Sequence, residues 1–472
     1  MKENRLTRRN FLKTVITATT LAVCPFKGWT DAIRTKPNII LVFIDDMGWA
    51  DLSCFGNKVR ETPRIDQMAS EGIAFEQFYV NAPVCSPSRV AISTGMYPQR
   101  WGITSYLARR ELNRNRGMAQ WLDPKAPMLA RSLKQAGYAT GHFGKWHMGG
   151  QRDVTEAPAI AEYGFDESLT NFEGLGPKLL PLTKDPDGKV GRIWQDAEIL
   201  GGPVTWMQRS EITGGFVDAA ISFMNKAQKD DKPFYINLWP DDVHSPFWPP
   251  IDMWGNGKKR QRYLGVLEEM DRQLGKLFDY VRDIKSLRDN TLILICSDNG
   301  CEKGAGRADP LKGCKMHLYE GGIRSPLVVW GPGVMAADAT GKRNKSSVFA
   351  AIDLVPSLLR LAGATTPAET NYDGEDMLDV LLGKSEASRK APIFFSRPPD
   401  FKEAFGEKDL PDLAIRQGDW KLLCDYDGSK PQLYKLKEDI GETRNLANAK
   451  PEITKELIHK VVDWHRSVQA SK

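Results

Sequence analysis

A chain of 472 residues can bury a sizeable core and allows two or three domains. Its 41% hydrophobic and 26% charged residues are the composition of a soluble globular protein, and no apolar run after the leader approaches the roughly 20 residues of a spanning helix, so no integral membrane domain is expected. The net charge of +5 sits in residues 1–34, where seven basic residues face two acidic ones; the body is neutral, which removes the main support for a nucleic-acid partner.

The leader reads Thr7-Arg8-Arg9-Asn10-Phe11-Leu12-Lys13, followed by a short apolar stretch from Thr14 to Val23. A basic segment ahead of a short hydrophobic one is an export signal, and the paired arginines resemble a twin-arginine signal, which carries folded cargo to the periplasm or beyond. Leu21-Ala22-Val23-Cys24 is a poor lipobox, so lipid anchoring at Cys24 is not expected. The remaining cysteines (54, 85, 296, 301, 314 and 424) show no C-x-x-C pair and no framework rhythm, which leaves a disulfide among Cys296, Cys301 and Cys314 open.

Asn38 to Ile44 is a continuous apolar run, read as a buried strand, and it ends directly in Asp45-Asp46. A helix with Thr62 as cap and Pro63 in its first turn follows, closed by Gly72. Val84-Cys85-Ser86-Pro87-Ser88-Arg89 opens another that ends at Gly95. Cys85 then lies at a helix N-terminus, where the dipole is expected to lower its pKa and Arg89 to hold an anionic substrate. After a helix over 127–137, a strand through Phe143 leads to Gly144-Lys145-Trp146-His147, which places Lys145 and His147 together at a strand end.

Residues 150–215 are rich in Gly, Pro and Trp without apolar rhythm, and read as an insertion or a group of surface loops. The strand 233–238 precedes Asp242-Val243-His244-Ser245-Pro246, and a helix carries Leu264, Leu267, Leu274, Leu277 and Val281 on one stripe. The strand from Thr291 runs into Ser297-Asp298-Asn299-Gly300; Lys312 to Gly322 precedes a strand at 327–330. In open parallel sheets ligands bind beyond the carboxyl ends of strands, so Asp45, Asp46, Asp298 and Asn299 share one crevice. Carboxylates gathered there repel one another unless a cation sits between them, and all-oxygen donors favour Ca²⁺, with Mg²⁺ second, over Zn²⁺. Past a linker near 363–372, short strands at 413–416, 420–424 and 432–436 and a helix over 451–468 form a small second domain. The pattern predicts an α/β fold: a large, mixed, mostly parallel sheet sandwiched by helices in residues 35–365, then a small α+β domain with an antiparallel sheet in 366–472.

In these blocks the chain resembles a type I sulfatase of the alkaline phosphatase superfamily. Cys85-Ser86-Pro87-Ser88-Arg89 matches the family's C-x-P-S-R maturation motif, and "NIILVFIDDMGWADL", "GKWHMG", "SDNG" and "YEGGIRSP" follow in the family's order from about Pro37 to the end. The resemblance implies that a maturase oxidises Cys85 to formylglycine before twin-arginine export. It implies Ca²⁺ held by Asp45, Asp46, Asp298, Asn299 and the residue made from Cys85, which Arg89 stabilises. Lys145 and Lys315 are implied to bind sulfate oxygens, and His147 and His244 to move protons.

The expected substrate is a sulfated carbohydrate, with Trp194, Trp206, Trp239, Trp248 and Trp254 as candidate sugar-stacking residues. Two other functions compete: a phosphate or phosphonate monoester hydrolase of the same superfamily, and an exported metal- and sugar-binding protein without catalysis. Cys314 and His317, flanking Lys315, depart from the resemblance.

Overall fold

The computed structural model describes residues 36–398 and 409–469; the expected export signal and Cys24 lie outside them. The large sheet is built from Asn38–Ile44 (β1), Ile73–Tyr79 (β2), Ala139–Gly144 (β3), Glu167–Thr170 (β4), Lys178–Lys184 (β5), Val190–Arg192 (β6), Val204–Gln208 (β7), Phe234–Trp239 (β8), Thr291–Ser297 (β9), Arg324–Trp330 (β10), Lys342–Asn344 (β11) and Phe349–Ala350 (β12). Its main path runs β11-β2-β10-β9-β1-β8-β3-β4-β5-β6, with β12 on β2 and β7 on β5. All pairings are parallel except those of β10 with β2 and β9, and of β6 with β5.

β1 shows why the sheet sits between two helix layers. Every residue of it is buried, and the side chains alternate: Ile39, Leu41 and Phe43 join one core, Ile40, Val42 and Ile44 the other. The first core is closed by helices Cys85–Thr94 (through Val90 and Ile92) and Leu354–Ala362 (through Leu354 and Leu358). The second is closed by Pro63–Glu71, Ile212–Lys229 and Lys259–Asp283, the last through the Leu267, Leu274 and Leu277 stripe. No helix among the described residues is long and apolar enough to cross a membrane.

Residues 150–215 correct the sequence reading. They are not only loops: β4 to β7 extend the sheet at one edge. β4, β6 and β7 are short and half-exposed, as in the exposed–intermediate–exposed pattern of Val190–Arg192, and β5, though mostly buried, is interrupted by Pro181 and flanked by lysines, so none shows the apolar runs that announce the central strands. Among the described residues, no disulfide joins Cys296, Cys301 and Cys314.

Four antiparallel strands follow: Ile393–Ser396 (β13), Leu413–Gln417 (β14), Trp420–Cys424 (β15) and Gln432–Lys435 (β16). The helix Pro451–Gln469 lays Leu457, Val461 and Trp464 into a core shared with Tyr79, Ala91 and Tyr97 of the larger sheet's side. A buried ionic group ties the two sheets together. Glu320 accepts from Tyr79 Oη at 2.7 Å, Arg324 Nη1 at 3.1 Å and Lys421 Nζ at 2.9 Å, while Lys421 Nζ also lies 2.9 Å from Glu442 Oε1. Lys421, on β15, is fully buried, so removing its charge strands two carboxylates in a dry interior. Lys421→Met is expected to cost about 3–5 kcal/mol of unfolding free energy in urea titration; a loss below about 1 kcal/mol shows that the group is not what joins the sheets.

Candidate active site

The parallel register of β1 and β9 sets Ile44 beside Ser297, so the two acidic turns leave the sheet together. They are stitched by backbone: Asp46 N donates to Asp298 Oδ1 at 3.0 Å, and Met47 N to Ser297 Oγ at 3.0 Å. Asp46 itself takes a positive φ of 59°, which turns the chain sharply after Asp45. Ligand-bearing oxygens of Asp45, Asp46 and Asp298 lie within 4.8 Å of one another, and all three residues are fully buried. Asn299 Nδ2 donates to Asp46 Oδ1 at 2.7 Å, which leaves its Oδ1 buried and without a partner.

Cations surround this cluster. Arg89 Nη2 is 2.9 Å from Asp298 Oδ2 and 3.2 Å from Asp45 Oδ1; Lys145 Nζ is 2.6 Å from Asp45 Oδ2; Lys315 Nζ is 2.7 Å from Asp46 Oδ2. Arg89 differs from the sequence expectation of a substrate-holding residue. It is wholly buried, donates to Lys145 O at 3.2 Å, packs against Phe43 and Trp239, and is not among the residues that line the cavity at Cys85.

Cys85 begins the helix Cys85–Thr94, every residue of which is buried, and its Sγ lies within 4.8 Å of ligand atoms of Asp45 and His244. Cys85, Lys145, His147, His244 and Lys315 all line one cavity of about 780 Å³. His244 Nδ1 donates to Ser245 O at 2.7 Å, which turns Nε2 toward Asp46 Oδ2 at 3.7 Å. His147, at φ 55°, donates from Nε2 to Leu107 O at 2.9 Å, which leaves Nδ1 as the unprotonated nitrogen, without a partner.

A family model described as Sulfatase matches residues 37–364, and one described as N-sulphoglucosamine sulphohydrolase, C-terminal, matches residues 314–467. The chain belongs to the sulfatase family. N-acetylgalactosamine-6-sulfatase of Canis lupus familiaris is 30% identical over 374 residues, 76% of this chain and 68% of the relative. Arylsulfatase A of Homo sapiens is 30% identical over 468 residues, 90% of this chain and 87% of the relative. Of solved structures, Ps i-CgsB in complex with k-i-k-neocarrahexaose matches with a TM-score of 0.75 and 28% identity, over 91% of this chain and 93% of the other.

The electrostatics of the sulfatase site follow from burial. Desolvation and the neighbouring Asp45 raise Asp298 well above the carboxylate range; burial opposes Asp45 too, but Lys145, His244 and Arg89 together hold it well below. Both histidines are lowered, first by burial and then by the Lys145 ammonium, so both stand neutral. Cys85 corrects the sequence reading: burial pushes its thiol up to about 12, overriding the helix end and the two lysines. The cysteine as encoded is therefore a poor nucleophile.

The sugar-stacking expectation fails for Trp239, which is fully buried in β8 beneath Arg89. Trp194, Trp206, Trp248 and Trp254 are not among the cavity's lining residues; Trp194 packs behind Phe172, with ring centroids 4.2 Å apart. The aromatic walls are Tyr106 and Phe172, which sequence reasoning passed over together with Gln151 and Glu173. None of these carries a periodic or motif signal; only the chain's path brings them to the cavity. In protein made without a maturase, Cys85 should react with iodoacetamide at pH 8 at least about 100-fold more slowly in the folded chain than in urea. Equal rates, read by peptide mass after differential alkylation, contradict the burial account.

Proposed function

We propose that this sulfatase hydrolyses a sulfate ester on a carbohydrate, with Cys85 matured to formylglycine and Ca²⁺ held by Asp45, Asp46, Asp298 and Asn299. The observation that carries this reading is that Cys85, two ammonium groups and two neutral imidazoles line one cavity, with the three carboxylates fully buried against them. The donor set fits a hard cation: it offers carboxylate oxygens and the unpartnered Asn299 Oδ1, and no sulfur once Cys85 is converted. Formylglycine supplies a hydroxyl nucleophile that the thiol cannot provide, and Ca²⁺ supplies charge to polarise it.

The remaining roles belong to this chain's own side chains. Lys145 and Lys315 offer ammonium groups to the sulfate oxygens, where negative charge builds as the ester bond breaks. The departing alcohol takes its proton from Lys315 or His244: Lys315 carries one as an ammonium 2.7 Å from Asp46, whereas His244, neutral with its proton on Nδ1, must first take one up at Nε2. His147 presents its free Nδ1 as the base that takes a proton from the nucleophile-bearing residue. Arg89 fixes Asp45 and Asp298, so it positions the floor without touching substrate.

The carbohydrate assignment is supported by the relatives' names, N-acetylgalactosamine-6-sulfatase among them, and by the k-i-k-neocarrahexaose bound to Ps i-CgsB. The paired arginines of the leader support export by the twin-arginine machinery after a maturase has acted, to the periplasm or outside the cell. A division near residue 365 between a catalytic and a small C-terminal domain belongs to the same reading. Steady-state rates on para-nitrophenyl sulfate and phosphate test the chemistry: sulfate is expected to be faster by at least about 100-fold, and Cys85→Ala to lose about 1,000-fold or more. Faster phosphate hydrolysis points to the rival esterase. An unmodified Cys85 peptide in active enzyme from the native host overturns the formylglycine assignment.

A further inference from the structure

The wall of the cavity next to His147 holds polar groups that no step above uses. Gln151 and Glu173 face each other as an isolated antiparallel β-bridge, continued by Gly174 N donating to Gly150 O at 3.0 Å. Directly opposed residues of such a pair project from the same face, with Cβ atoms about 4.5–5.5 Å apart. The approach is close: a Cβ on Gly174, at φ +85°, would sit 3.2 Å from the Trp146 side chain, which only glycine avoids.

Both side chains line the cavity that Cys85 lines, and both are buried, Gln151 at 2% and Glu173 at 4% exposure. Each is half satisfied. Gln151 Nε2 donates to Gln120 O at 2.9 Å, while its Oε1 has no partner. Glu173 Oε1 lies 3.4 Å from His147 Nε2, while its Oε2 has no partner. Buried polar atoms are rarely left unpaired, and two such side chains, opposed across a bridge and lining one cavity, are where a ligand's groups complete the bonding.

We propose that Gln151 and Glu173 form a hydroxyl-recognition pair, which selects sulfated sugars over sulfate esters that lack a hydroxyl beside the ester. A hydroxyl is both donor and acceptor, and the pair offers it both partners. Gln151 Oε1 accepts. Burial raises Glu173 to about 8, so at neutral pH its carboxyl keeps a proton to donate. Phe172, braced from behind by Trp194 and adjoining Glu173 in sequence, gives the cavity an apolar face beside the pair, as a pyranose ring requires. A cation would meet the charge of Lys145, and a second anion would meet an acid without charge to attract it; a neutral hydroxyl fits both constraints.

This inference rests on the carbohydrate reading, and one kinetic comparison separates the two. Rates are measured as kcat/KM on para-nitrophenyl sulfate and on para-nitrophenyl galactosides and N-acetylhexosaminides monosulfated at each ring position. The sugar-to-aryl ratio is expected to fall at least about tenfold in Gln151→Ala and in Glu173→Ala, because a site built to bond a hydroxyl loses that discrimination when a partner is removed. Glu173→Gln, which keeps a donor and an acceptor at the same reach, is expected to retain most of the ratio. Gln151→Met, of similar volume, replaces the alanine variant if thermal unfolding shows that one misfolded. Ratios within twofold of wild type overturn the proposal, as does an equal loss on both substrate types in Glu173→Ala, which would make Glu173 a support for His147 only. A wild-type enzyme active on the aryl ester and on no sugar sulfate sinks the carbohydrate reading, and this inference with it.

Discussion

The constraint on which the rest depends is the burial of Asp45, Asp46 and Asp298 within 4.8 Å of one another. Two like charges 4 Å apart repel by about 4 kcal/mol even at an effective dielectric of 20, so such a cluster persists only with cations of its own. The chain provides three, Arg89, Lys145 and Lys315, from three separate segments. Each cation thereby fixes the segment that carries it. The helix that starts at Cys85, the turn after β3 and the loop before β10 are held to the ends of β1 and β9 by the same attraction. The close approach extends to the backbone, since a Cβ on Gly300 would sit 2.0 Å from Gly321 O.

This division of labour separates floor from walls. The floor is made of strand ends and a buried helix, which allow little movement and hold charge in fixed places. The walls come from Tyr106 to Asn115, whose second half is the short helix Arg110–Asn115, and from the connecting segments at Gln151 and Arg152 and at Phe172 and Glu173. One floor can thus perform the same cleavage on different alcohols, while the walls decide which alcohol enters. In this sulfatase the wall facing His147 carries amide and carboxyl groups rather than the exposed tryptophans that sugar-binding surfaces often use.

What could be read from the sequence follows the same division. β1, β8 and β9 are buried on both faces, so their apolar runs announce them, and the acidic residues that end β1 and β9 stand out against those runs. β4 to β7 cover only an edge: β4, β6 and β7 are half-exposed, and the buried β5 is broken by Pro181 between lysine ends, so none carries such a signature. Burial is the quantity that one-dimensional reading handles worst. It reverses the expected shift of Cys85, withdraws Arg89 from substrate and hides Trp239, which looks like a rim residue only until β8 is seen with β1 and β3 on either side. Glu173 had no signal at all, because what it does depends on Gln151, brought opposite by a single bridge.

The proposed chemistry requires a cation among those carboxylates. The most direct test is elemental analysis by mass spectrometry of the matured enzyme, purified without chelator, beside an Asp298→Ala variant shown to be folded. A single calcium ion per chain, absent from the variant along with sulfate-ester turnover, is the predicted result. A fully active enzyme that retains no divalent ion, or a variant that keeps its ion, would contradict it.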